Sequence, residues 1–204
     1  GSISYPKFSS EEVEKMMTPF EKRLLRYLNG GRLHPVILLT GGSAEQRLAL
    51  AKKVAQFLVC SEKKAEFSCE CSVCRRIESG FHPDVLLLDE PEEKNLKIES
   101  VREVCHQMQI QPIEALRKVC IVQECHRLNA ASSNAFLKTL EEPGPERYFL
   151  LLTDQVGMVI PTILSRSIRF HRSPTDANLT QVDWTDARSL WNGFEKAKDV
   201  SVLV

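Results

Sequence analysis

The sequence predicts an α/β protein, a parallel sheet flanked by helices, and two observations carry that expectation. Short apolar runs, Val36 to Leu39, Asp84 to Leu88, Val119 to Val122 and Tyr148 to Leu152, alternate with longer stretches of helical periodicity. The first run, within Val36 to Lys53 (VILLTGGSAEQRLALAKK), leads through a Gly-Gly turn straight into an amphipathic helix, the local shape that aims backbone N–H groups and a helix N-terminus at phosphate.

Taken in order, Ser9 and Glu12 have capping-box spacing, and Thr18-Pro19-Phe20-Glu21 restarts a helix that Gly30-Gly31 should stop, with Phe20, Leu24 and Leu28 on one face. Val36 to Leu39 is apolar throughout, as a strand buried on both faces of a parallel sheet must be. A helix over 47–59 should turn Leu50, Val54, Phe57 and Leu58 inward. After a cysteine-rich segment, 60–74, come the second strand, a helix over Glu99 to Gln109 carrying Val101, Val104, Cys105 and Met108, the third strand, and a helix over Ala130 to Leu140. The fourth strand and a short helix, Pro161 to Arg166, capped near Ser165, complete the alternation. Ser173-Pro174-Thr175-Asp176 reads as a boundary. This divides the chain into a sheet domain over 1–172 and a small helical unit over 173–204, where Trp184, Ala187, Trp191 and Phe194 recur at helical spacing.

Charge is balanced, with 27 basic and 27 acidic residues, and nothing interleaves aromatic with basic residues as a nucleic-acid surface would. That argues against a zinc-dependent nucleic-acid-binding module. No apolar run approaches the roughly 20 residues of a membrane span. Seven cysteines without a secretory pattern point to a reducing, cytoplasmic setting.

Aligned on G-x-x-x-x-G-K-[ST] from Gly41, the final glycine is Gln46, the lysine Arg47 and the hydroxyl residue Leu48. Gln46 puts a side chain where backbone must wrap phosphate, Arg47 replaces a compact ammonium by a planar fork, and Leu48 cannot ligate magnesium. A lost phosphate loop and an ordinary strand-to-helix turn both fit these residues. The third strand runs into Gln123-Glu124, where a nucleotide hydrolase would have a magnesium-binding aspartate and a water-activating glutamate; a neutral amide substitutes poorly for the first. Two halves of one ATP site thus fail together, and no bound ATP is expected.

Cys60, Cys69, Cys71 and Cys74, spaced C-x8-C-x-C-x2-C, form a candidate structural Zn²⁺ site in a segment too polar for a core; incidental thiols are the alternative. Cys105, Cys120 and Cys125 read as small core residues. Arg166, after the fourth strand at a helix end, could reach a neighbouring subunit's γ-phosphate, although a surface arginine is more commonly just solvated.

Together these pieces resemble the AAA+ subunits of the bacterial DNA polymerase III clamp loader, delta-prime in particular. The resemblance rests on Gly31-Arg32-Leu33-His34, the four-cysteine segment, His82-Pro83-Asp84, Ile98-x-x-Val101-Arg102, the run Asn134 to Pro143 (NAFLKTLEEP) and Pro161 to Arg166 (PTILSR), across about 28–170. It implies an AAA+ P-loop-type sheet domain with a zinc insert at 60–74 and part of a helical lid, the C-terminal collar domain being absent. It also implies a stator that lacks ATPase activity and offers an arginine finger, here Arg166, to the adjacent ATP-binding subunit, with zinc on Cys60, Cys69, Cys71 and Cys74. The implied partners are the gamma/tau and delta subunits and, through the assembly, the sliding clamp and primer-template DNA. Two departures stand out: Ser167 replaces the family's cysteine after the arginine, and one residue is missing from the usual C-x2-C between Cys69 and Cys71. The rival reading is a divergent ATP-binding subunit of the gamma/tau type, working through Arg47 and Glu124. Nothing resembles the metal-binding carboxylate pair of a polymerase, so polymerase activity would belong to the holoenzyme.

Overall fold

The computed structural model describes residues 19–30, 33–61 and 71–173. Cys69, the helix start at Ser9, the Thr18 cap and the helical unit expected over 173–204, apart from Ser173 itself, lie outside them.

The described residues form five parallel strands, β1 (Val36–Thr40), β2 (Val85–Leu88), β3 (Lys118–Val122), β4 (Arg147–Thr153) and β5 (Ile168–His171), in the order β2-β3-β4-β1-β5. Helices α1 (Pro19–Asn29), α2 (Ala44–Val59), α3 (Ser72–Ser79), α4 (Ile98–Gln109), α5 (Ala130–Glu141) and α6 (Pro161–Leu164) connect or cover them. Because successive strand side chains point to opposite faces, the sheet splits its apolar residues between two cores. Ile37, Leu39, Ile121, Leu150 and Leu152 pack with α1 and α2. Val36, Leu38, Val122, Phe149 and Leu151 pack with α4, α5 and Ile163. Burial on both sides is why β1, β3 and β4 are apolar between their end residues.

Among the described residues the expected strands and helices are present, with three differences. β5 is an additional strand at the sheet edge, and its alternation of buried Phe170 with exposed Arg169 and His171 is too short to signal itself. A helix, α3, occupies the latter part of the cysteine segment, held to the body by buried Cys74 and Ile77 and ended by Gly80. Finally, α2 begins at Ala44 rather than at 47. Ser43 is its N-cap, accepting from Gln46 N, and the Gln46 side chain accepts in turn from Ser43 N, a complete capping box.

At the end of the sheet opposite the β1 turn, polar groups are buried in a connected layer. Asp84, fully buried, accepts from the backbone N–H groups of Ile113, Glu114 and Ala115 at 2.7–2.9 Å. Burial pushes its carboxyl pKa up, but these three donors and nearby Lys118 outweigh that and hold it below the usual carboxylate range. Arg147 donates to the carbonyls of Met108, Gln109, Ile110 and Pro145, and Lys118 to that of Ile110. The unpaired carbonyls at the end of α4 are thereby satisfied by buried cations.

Candidate functional site

The C-terminal edge of a parallel sheet is where α/β proteins bind ligands, and here the ends of β1 and β3 face each other across the end of β4. Gly41 and Gly42 turn the chain with φ of +82° and +70°, a conformation that L side chains rarely adopt. A Cβ on Gly41 would lie 2.0 Å from the Arg172 carbonyl oxygen, and one on Gly42 2.7 Å from Gln46 Oε1. Only Gly41, Gly42 and Ser43 separate β1 from α2, so residues 44–48, which a phosphate loop would use to wrap its ligand, are helical instead. Leu48 packs against the core.

Arg47, 3% exposed, folds back across this turn. Its Nη1 donates to Gly42 O at 2.7 Å and its Nη2 to Glu124 Oε1 at 2.7 Å. Glu124 presents its carboxylate from a left-handed backbone conformation, φ 50°, immediately after β3, and its other oxygen lies 3.3 Å from His126 Nδ1. His126 also meets Thr153 Oγ1 at 2.8 Å. Glu124, His126 and Asp154 are close enough to share a cation, but the Arg47 guanidinium already neutralises the carboxylate, so they make a poor cation site. Gln123 stands beside the pair, its Oε1 buried without a hydrogen-bond donor among the described residues, as is Arg47 Nε without an acceptor.

Breaking the pair from the carboxylate side strands a buried guanidinium. Glu124→Gln should destabilise the chain by about 2 kcal/mol, under the 3–5 kcal/mol typical of fully buried pairs because Glu124 is partly solvated and an amide oxygen can still accept. Urea unfolding of the variant against the parent checks this.

Three of the four expected zinc ligands converge. Sγ of Cys60, at the end of α2, and of Cys71 and Cys74, in the first turn of α3, all lie within 4.8 Å of one another. Cys60 and Cys71 Sγ are 3.5 Å apart, close to the separation of about 3.8 Å that two thiolates take on a tetrahedral zinc with 2.3 Å bonds. Cys71 caps α3 and accepts from Cys74 N at 3.4 Å, so a helix N-terminus faces the sulfur that metal ligation would require as thiolate. The residues therefore fit the ion. By contrast, Cys105, Cys120 and Cys125 are buried, with burial pushing Cys120 above the ordinary thiol range and Cys125 up to about 12.

Arg166 follows α6 on the surface, its side chain 36% exposed. Its Nη1 donates to Thr162 O and Ser165 Oγ at 3.0 and 3.3 Å, and its Nη2 lies 2.5 Å from Glu141 Oε1. It is thus partly exposed and tethered. The residues that sequence reasoning passed over are Ser43 and Glu141. Ser43-x-x-Gln46 has the capping-box spacing and could have been read; the partnership of Glu141 with Arg166 could not, since nothing in either local pattern links them.

Residues 16–176 match the family described as DNA polymerase III, delta subunit. The chain is 31% identical over 175 residues to DNA polymerase III subunit delta' of Pseudomonas aeruginosa, covering 84% of this chain and 53% of that protein. It is 35% identical over 144 residues to DNA polymerase III subunit gamma of Buchnera aphidicola, covering 70% of this chain and 39% of that one. The crystal structure of a DNA polymerase III gamma subunit-related protein from Thermotoga maritima superposes with a TM-score of 0.59 at 25% identity, over 88% of this chain and 56% of its own. The chain spans about half the length of the delta' relative and less of the gamma relative. With the β2-β3-β4-β1-β5 parallel sheet and a family match over most of its length, the chain belongs to the DNA polymerase III delta-subunit family, the clamp-loader family that its motifs resemble.

Proposed function

We propose that the chain is a non-catalytic, delta-prime-type subunit of the bacterial replicative clamp loader, a stator that binds no ATP itself and lends Arg166 to the ATP site of an adjacent subunit. The observation that carries this reading is the Arg47–Glu124 pair. In a hydrolase the residue at the position of Arg47 would hold phosphate and the glutamate would activate water; here each is the other's partner, over a turn too short to wrap a ligand. Its partners in this reading are the gamma/tau and delta subunits and, through the assembly, the sliding clamp and primer-template DNA, in the cytoplasm. No helix among the described residues is long and apolar enough to cross a membrane.

A gamma/tau-type ATP-binding role is favoured by the 35% identity to the Buchnera gamma subunit and the likeness to the Thermotoga gamma subunit-related structure. Calorimetry with Mg-ATP separates the two. No saturable heat up to about 1 mM nucleotide, a binding free energy weaker than about −4 kcal/mol, is expected; a dissociation constant near micromolar overturns the stator reading.

A structural Zn²⁺ on Cys60, Cys69, Cys71 and Cys74 completes the proposal, fastening the end of α2 to the start of α3 in a segment with little apolar surface of its own. Metal analysis should find one zinc per chain, and Cys74→Ser should lose most of it while lowering the melting temperature. A metal-free parent chain of unchanged stability would overturn the assignment.

A further inference from the structure

Glu141 is badly placed for its own helix. It is the last residue of α5, where the carbonyl end of the macrodipole disfavours a carboxylate. What it does there is hold Arg166, Oε1 to Nη2 at 2.5 Å, while Arg166 Nη1 is held by Thr162 O and Ser165 Oγ. Both terminal nitrogens of a surface arginine are therefore fixed, one by α5 and the other by α6 and the residue that caps it. Nε has no acceptor among the described residues, so the guanidinium keeps an edge for a further anion.

With the two side chains 36% and 48% exposed, such a pair contributes little to stability, too little to account for a three-point clamp. Clamping matters if the arginine has a task. An unrestrained arginine gives up rotamer freedom when it is fixed on a ligand, and a side chain already ordered gives up less.

We propose that Glu141 is a positioning residue for Arg166: its carboxylate orders the guanidinium before assembly and keeps it aimed when the free edge meets the neighbouring subunit's γ-phosphate. This rests on the reading of Arg166 as a trans finger. Glu141 touches no nucleotide and acts only through the arginine.

The test is a double-mutant cycle in the assembled clamp loader built with full-length protein: parent, Glu141→Gln, Arg166→Ala and both together, each assayed for DNA- and clamp-stimulated ATP hydrolysis. Glutamine keeps the shape and removes the charge. Glu141→Gln should lower kcat at the site served by Arg166 about fivefold, within the coupling range of contacting residues, with KM for ATP moving less than about twofold. In the Arg166→Ala background it should change nothing further. Thermal melting of each variant chain, expected to match the parent, separates positioning from a folding defect.

If Arg166→Ala slows hydrolysis but Glu141→Gln does not, the positioning role is wrong and the finger stands. If Glu141→Gln slows both backgrounds equally, Glu141 acts by another route and the inference fails. If Arg166→Ala itself leaves hydrolysis unchanged, the finger reading falls and takes this inference with it.

Discussion

Arg166→Ala is expected to slow ATP hydrolysis at the neighbouring site by about 10³-fold, the low end of what an arginine finger supplied in trans contributes. The physical reason is charge. Phosphoryl transfer spreads negative charge over the γ-oxygens, and a guanidinium placed there in a site closed to water stabilises the transition state far more than it does the bound nucleotide. The loss should therefore fall on kcat and leave KM nearly unchanged. Total hydrolysis by the complex should drop only by the share that this one site contributes. Assembly should survive, because the Glu141 pair that the mutation removes is exposed. Single-turnover hydrolysis by the reconstituted complex, with size-exclusion chromatography as the assembly control, measures both; an unchanged rate sinks the finger role.

Asp84→Ala is the substitution expected to damage the chain's own stability most, by about 3–5 kcal/mol. It strands three backbone N–H groups of 113–115 that are part-buried on one carboxylate, each costing roughly 1–3 kcal/mol if left unsatisfied, with relaxation of the loop recovering some of the sum. It also removes the anion nearest buried Lys118, whose ammonium pKa burial already pushes down. Denaturant unfolding checks the magnitude. The pH dependence follows from the sign of the Asp84 shift. Its folded pKa lies below the unfolded value of about 3.9, so its contribution is fully present above that value and is lost as pH falls through the folded pKa. The parent should lose stability on acidification below about pH 4, and Asp84→Ala should show a shallower decline there.

How much of this was legible depends on whether a residue's neighbours are local. β1, β3 and β4 announced themselves because a strand covered on both faces is apolar through its middle. β5 did not, since an edge strand of four residues with Arg169 and His171 facing out offers no such run. The start of α2 was misplaced because the phosphate-loop template, laid from Gly41, assigned 44–46 to a loop, while Ser43 and Gln46 carried a capping box that fixes the helix three residues earlier. α3 hid in the cysteine segment, with only Cys74 and Ile77 buried in eight residues. At the candidate site, the substitutions at Gln46, Arg47, Leu48 and Gln123 were readable one by one as losses. That Arg47 would turn to Glu124, 77 positions along the chain, depends on how β1 and β3 are ordered in the sheet, which no local pattern contains. The same holds for Asp84, whose three donors lie beyond α4.

The pairing of Arg47 with Glu124 has a consequence in linkage. A protein that binds a ligand only when folded gains stability as RT ln(1 + [L]/Kd), so a nucleotide-binding subunit stiffens and relaxes as ATP is bound and spent. Buried Arg47, its charge already met by Glu124 within the chain, removes the ligand from that expression. The melting temperature of this chain should be flat against ATP and ADP alike, and its conformational populations should carry no memory of where its neighbours stand in their cycle. In the proposed clamp-loader role, such a chain would be the fixed coordinate against which the motion of nucleotide-driven neighbours is converted into work.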